Sequence, residues 1–262
     1  KFSYYRVTMF VGIISLLLAA AVCWSSTDAY TWDDWTPLDE YVQGEDGYYS
    51  WTELGQHDYD GVTLWLINMT SQKWQDESFV SQPVWWHHMG IACPHDIRHH
   101  DMGFIYIGGT DNDDDDFPLE KQHFANLMMA KIANETGTCG GYIFQVPNQP
   151  LVFYNDPTLR ERKEDRIIAW SWRSYLDAVE KDPTVVLRMP MTKAAKRGLD
   201  AIHDVAKAKI PSTHINYYYA FGASKRGWTV WSLASTDRRV VVMTPVVFSL
   251  LNMMDALMFH YQ

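Results

Sequence analysis

The run Gly222-Ala223-Ser224-Lys225-Arg226-Gly227 holds the residues best suited to covalent chemistry. One serine sits among small residues, directly after an apolar, aromatic stretch at 215–221 and directly before a helical pattern at 224–234. Gly222, Ala223 and Gly227 let the backbone turn sharply and let strand and helix pack closely. Such a turn lifts Ser224 above the carboxyl edge of a sheet, where ligands bind in open α/β folds. Ser224 is therefore the candidate nucleophile. The backbone N–H of Lys225, at a helix N-terminus, is suited to a developing oxyanion. The spacing is G-x-S-x-x-G, one residue longer than the usual G-x-S-x-G turn, and a serine there would serve equally as a plain helix N-cap. Lys225 and Arg226 could bind an anion at the helix start, or Arg226 could pair with a carboxylate at the edge of the core.

Other polar groupings carry less. His95, Asp96, His99 and Asp101 have zinc-ligand chemistry, yet no H-E-x-x-H or similar helical spacing, so a polar loop with one histidine orienting the turn is the expectation. The pair His87-His88 lies just upstream. The acidic run from Asp111 to Asp116 lacks the alternate-position pattern and distal Glu of a calcium loop and reads as a solvated loop. Past Gly108-Gly109, such a loop would favour cationic groups at the rim of a site. No motif implies a metal or a cofactor. Trp32, Trp35, Trp51, Trp85 and Trp86 read first as core packing and second as a carbohydrate or peptide surface.

The elements that must position these groups follow from periodicity. Residues 30–59, rich in Trp, Tyr and Asp without a helical period, read as irregular structure with short strands. Residues 62–69 (V-T-L-W-L-I-N-M), 84–92, 104–107 and 142–146 read as strands. Residues 119–133 form a helix with Phe124, Leu127, Met128 and Ile132 on its apolar face. Residues 163–181 form a strongly amphipathic one carrying Ile167, Ile168, Trp172, Tyr175, Leu176 and Val179. A third helix covers 191–209 and stops at Pro211. The runs 215–221 and 240–247 have the uninterrupted apolar character of strands buried on both faces. Strands alternating with helices predict one α/β domain, a mostly parallel sheet with helices on both faces.

Composition bounds the function. A chain of 262 residues with 47% apolar and 21% charged residues is folded, and 22 Lys and Arg against 32 Asp and Glu leave it at −10. That acidity argues against nucleic acid as a partner. Lys1 and Arg6 flank an uncharged run at 7–22, which reads as a signal peptide over 1–29, cleaved after Cys23 or Ala29, with the domain at 30–262. An uncleaved signal anchor would be the sole contact with a membrane. Export makes Cys93 and Cys139 a candidate disulfide, with two buried free thiols the equal alternative. It also makes Asn68 and Asn134 glycosylation candidates, in N-M-T and N-E-T.

G-A-S-K-R-G-W-T after an aromatic strand resembles the PhoPQ-activated pathogenicity-related proteins, whose secreted eukaryotic relatives include autocrine proliferation repressors. Pro83-Val84-Trp85-Trp86-His87, Ile107-Gly108-Gly109, Val146-Pro147-Asn148-Gln149-Pro150-Leu151 and Leu250-Leu251-Asn252-Met253 match in the family's order. The resemblance implies an α/β-hydrolase-like fold, with Ser224 as nucleophile, Lys225 as main oxyanion donor, and the turn carrying Gly109 and Thr110 as the second. In that fold the acid and histidine follow the serine. Asp237 lies too near the elbow helix, and Asp255 and His260 sit five apart with no later strand between them. The family continues past Gln262, so a C-terminal truncation and an incomplete triad are expected. Two functions follow: a secreted serine hydrolase acting on a peptide or ester substrate, or a non-catalytic extracellular factor that presents the scaffold to a cell-surface receptor.

Overall fold

The computed structural model describes residues 35–113 and 119–248, together with 252, 254, 255 and 258. The chain divides at Trp35 and Thr36, and every element below belongs to the part from Thr36 onward. In order these are α1 (Pro37–Gln43), β1 (Ser50–Tyr59), β2 (Val62–Lys73), β3 (Val84–Pro94), β4 (Met102–Ile107), α2 (Phe124–Thr136) and β5 (Cys139–Ile143). Then come α3 (Asp165–Asp177), a short 3-10 turn at Pro183–Val185, α4 (Arg188–Lys209), β6 (Tyr217–Ala223), α5 (Lys225–Thr236) and β7 (Val240–Val246).

Seven strands form one sheet in the order β1-β2-β3-β5-β4-β6-β7. The expected mostly parallel sheet is corrected here to a mixed one. β1–β2, β2–β3 and β3–β5 pair antiparallel, and β5–β4, β4–β6 and β6–β7 pair parallel. The antiparallel half begins with β1, in the region read as irregular. Its alternating exposure and polar residues suit a strand with one wet face at the rim of the sheet.

Helices do cover both faces. Along β2, Val62, Leu64 and Leu66 join Ala125, Met129, Ala130 and Ala133 of α2 in one apolar cluster. Trp65, Ile67 and Met69, on the opposite face, join Ala194, Leu199, Ile202 and Val205 of α4 and Val230 and Leu233 of α5 in the other. The period of two along the strand, against 3.6 along each helix, produces this split.

Local signals set the helix ends. Thr36 and Asp39 form a capping box around Pro37, and the His123 side chain accepts from the Ala125 N–H to start α2. Four further expectations are revised. α2 buries Ala125, Met129, Ala130 and Ala133, and leaves Phe124 and Leu127, expected on its apolar face, exposed. β6 alternates buried and partly exposed residues rather than being buried on both faces. β7 ends the described sheet and leaves Val241 and Val246 exposed, because no strand among the described residues pairs with its outer edge. α3 ends at Asp177, so Val179 is fully exposed and Leu176 largely so, and Ile167 carries the packing of that face. Among the described residues, no helix is long and apolar enough to cross a membrane.

Candidate active site

β6 ends at Ala223, Ser224 takes φ 55° and ψ −123°, and α5 starts at Lys225. A positive φ is strained for serine and persists only where the surroundings enforce it. They do so through close packing. A methyl group on Gly227 would lie 3.0 Å from Cβ of Phe248, 3.1 Å from the Val246 carbonyl oxygen and 3.2 Å from that of Gly222. The Ser224 N–H donates to the Val246 carbonyl at 2.9 Å, fastening the turn to β7. Ser224 is exposed and makes no side-chain cap bond, so its hydroxyl is not spent as an ordinary N-cap. The Lys225 N–H opens α5, where no intrahelical acceptor exists for it.

The turn Gly108-Gly109-Thr110 leaves β4 beside this elbow, since Ile107 pairs with Gly222 at the end of the parallel β4–β6 ladder. The longer G-x-S-x-x-G spacing has a physical counterpart here. Where the shorter motif has a glycine, this chain has Arg226, and its guanidinium occupies the space a side chain at Gly109 would need. A Cβ on Gly109 would fall 1.7 Å from Nη2 of Arg226.

The carboxylate that pairs with Arg226 at the edge of the core is Glu164. It accepts from Nη1 at 3.0 Å and Nη2 at 2.7 Å, while Nε donates to the Val146 carbonyl at 2.5 Å. Lys225 pairs with Glu164 as well, and with Asp165 at 3.1 Å. Burial alone would raise the Glu164 carboxyl, but donation from Arg226 and Lys225 outweighs it and brings the group down to about 2. Gln149 joins this carboxylate to Asp111, donating to Glu164 at 2.8 Å and to Asp111 at 2.7 Å, and Asp111 also pairs with Lys163. Arg188 lies behind the elbow, donating to the Lys225 carbonyl at 2.9 Å, with Trp228 beneath its guanidinium. Burial and the neighbouring Arg226 push Arg188 down to about 9.

Sequence reasoning missed Glu164, Asp111 in its network role, and Arg188. The V-P-N-Q-P-L string was the available signal, since Asn148 and Gln149 are buried and bonded across the loop. His87 was read only as half of a histidine pair, without its burial. That ring is fully buried on β3, with Nδ1 on the Phe144 carbonyl and Nε2 on the Ser71 hydroxyl, both at 2.9 Å.

The remaining candidates fall away from the serine. Cys93 on β3 and Cys139 on β5 are joined in a disulfide, with their Cα atoms 4.2 Å apart. Asn134 is exposed in the last turn of α2, whereas Asn68 is half-buried in β2 between β1 and β3. Asp237 caps the far end of α5 and is committed to Arg239. Asp255 is exposed and accepts from Asn252 at 2.6 Å. His260, Trp32 and Asp114 to Asp116 lie outside the described residues. Trp85 is fully buried, while Trp35, expected in the core, is 62% exposed. Among the described residues, no group of three or more His, Cys, Asp or Glu could hold a metal ion.

The profile of the PhoPQ-activated pathogenicity-related proteins matches residues 38–262. The chain belongs to that family. This PhoPQ-related chain is 34% identical over 218 residues to Autocrine proliferation repressor protein A of Dictyostelium discoideum, covering 83% of the chain and 42% of the relative. Among solved structures, the acetyl xylan esterase from Paenibacillus sp. R4 aligns with a TM-score of 0.51 at 12% identity, over 86% of this chain and 61% of that one. The chain thus spans less than two thirds of either relative's length. The structural likeness shows that the PhoPQ-related chain has an α/β-hydrolase-like fold with a mixed sheet and flanking helices.

Proposed function

We propose that this protein is an exported serine hydrolase of the peptidase or esterase type, with Ser224 as its nucleophile. The observation that carries the reading is the left-handed backbone of Ser224 at a strand–helix junction, with its hydroxyl exposed and uncapped. A residue held under strain at the carboxyl edge of a sheet points to function rather than to packing. In this mechanism Ser224 Oγ attacks the carbonyl carbon while a base takes its proton. The Lys225 N–H and the Gly109 or Thr110 N–H share the oxyanion, and the proton passes to the leaving group. Water then attacks the acyl-serine and regenerates the hydroxyl. The base and its carboxylate partner follow the serine in this fold. The commitment of Asp237 to Arg239 argues against it in that role. Export is supported by the disulfide, a bond of oxidising compartments.

The test is reaction of the full-length secreted protein with a fluorophosphonate probe. Wild type should label, and Ser224→Ala should lose labelling and ester hydrolysis by at least about 10³-fold. Equal labelling of both proteins would remove Ser224 from the mechanism.

A second reading has one observation behind it, the 34% identity to a repressor of proliferation. There the scaffold faces a receptor, wild type takes no probe, and Ser224→Ala represses proliferation as well as wild type does.

A further inference from the structure

Ser224 is not alone in its backbone conformation. Glu164, which opens α3, has φ 55° and ψ −126°, against φ 55° and ψ −123° at Ser224. The two strained residues meet through one carboxylate, because Glu164 pairs with Lys225 and Arg226, the two residues that follow the serine. The Glu164 N–H and carboxylate are both held by the Gln149 side chain at 2.8 Å, which fixes the carboxylate from behind. Arg226 in turn spans from α5 to the turn after β4, filling the space over Gly109, and to the loop after β5 through the Val146 carbonyl.

This arrangement sits where the sheet stops setting distances. The β4–β6 ladder ends at Ile107 and Gly222. Past that pair, inter-strand hydrogen bonds no longer hold the Gly109–Thr110 backbone beside that of Lys225, and Arg226 bridges the interval. Oxyanion donors act only when placed within about 2.7–3.1 Å of the developing charge, so the spacing of two donors on different loops must be held by something.

We propose that Glu164 is a positioning residue for the hydrolysis assigned above. It holds the Arg226 fork across Gly109 and thereby sets the separation between the Lys225 N–H and the Gly109–Thr110 N–H groups. This rests on Ser224 being the nucleophile. Glu164 touches no reacting atom. Its carboxylate stays ionised throughout the neutral and mildly acidic range, because the two cations hold it near the bottom of the carboxylate scale.

The experiment uses the full-length secreted protein, with p-nitrophenyl acetate as substrate and fluorophosphonate titration to count competent serines. In Glu164→Gln the charge is lost at nearly constant shape. In Arg226→Lys the charge stays but the two-pronged fork is lost, which supplies the same readout if the first variant does not accumulate. Each should lower kcat per titrated serine by about 10²-fold, the size of one misplaced oxyanion donor. KM should move by less than about threefold, since the contact acts in the transition state. The double variant should be no worse than the worse single one, because both break one linkage. If kcat per titrated serine stays within about twofold of wild type while fewer serines titrate, the pair is structural only and the proposal is overturned. Wild-type activity lost in Ser224→Ala but kept in Glu164→Gln overturns this inference alone. A wild type that neither hydrolyses the ester nor takes the probe overturns the nucleophile assignment along with it.

Discussion

At Gly227 an added methyl group would meet backbone on two sides, the carbonyl oxygens of Val246 and Gly222. Neither can swing away as the end of a flexible side chain could. Gly227→Ala should therefore destabilise the fold by about 1–3 kcal/mol and slow probe labelling of the serines that remain folded. A urea-denaturation midpoint and a labelling rate would check both. At this scale the sharp turn between β6 and α5 was legible, because small residues crowd a single hydroxyl between an apolar run and a helix. Glu164 was not legible. Nothing local to Lys163-Glu164-Asp165 marks it, and its partners Lys225 and Arg226 lie about sixty residues further along. Arg226 shows the limit most clearly: its need for a carboxylate could be read from the chain, but the identity of that carboxylate depends on how α3 meets α5.

Among the elements, β2, β3, β4 and β6 sit within a few residues of their expected positions, and so do α2, α4 and α5. Strand content is readable because branched and aromatic residues dominate these runs. Strand direction is not, since a buried run reads alike in either orientation. The loop between β3 and β4 is short, yet β5 lies between those two strands in the sheet, a choice made by packing alone. That order places Cys93 next to Cys139, because Ala92 pairs with Gly140 on the neighbouring strand. The bond closes a loop with a sequence separation of 46. Chain-entropy arguments give such a closure about 4 kcal/mol. Cys139→Ser, or reduction of the native protein, should lower unfolding stability by about 2–4 kcal/mol, read from chemical denaturation with and without dithiothreitol.

For the whole molecule, two histidines of β3 tie stability to pH. Burial lowers His87 to about 4 from an ordinary 6.5, and burial lowers His88 similarly. The unfolded chain therefore takes up protons first as pH falls. Stability is complete above about pH 6.5 and declines through the interval down to about 4, with His87 alone contributing roughly 3 kcal/mol of that loss. Unfolding free energies at pH 7 and pH 4.5 should differ accordingly, and His87→Gln should narrow the difference. An equal acid slope in that variant would move the effect elsewhere. The disulfide has a consequence at this scale too. β4, α2 and the acidic segment that begins at Asp111 all lie inside the loop that it closes. A protease that cuts the backbone once between Cys93 and Cys139 would therefore release nothing. The nicked protein keeps the mass of the intact one, plus a water, until a reductant separates the two pieces.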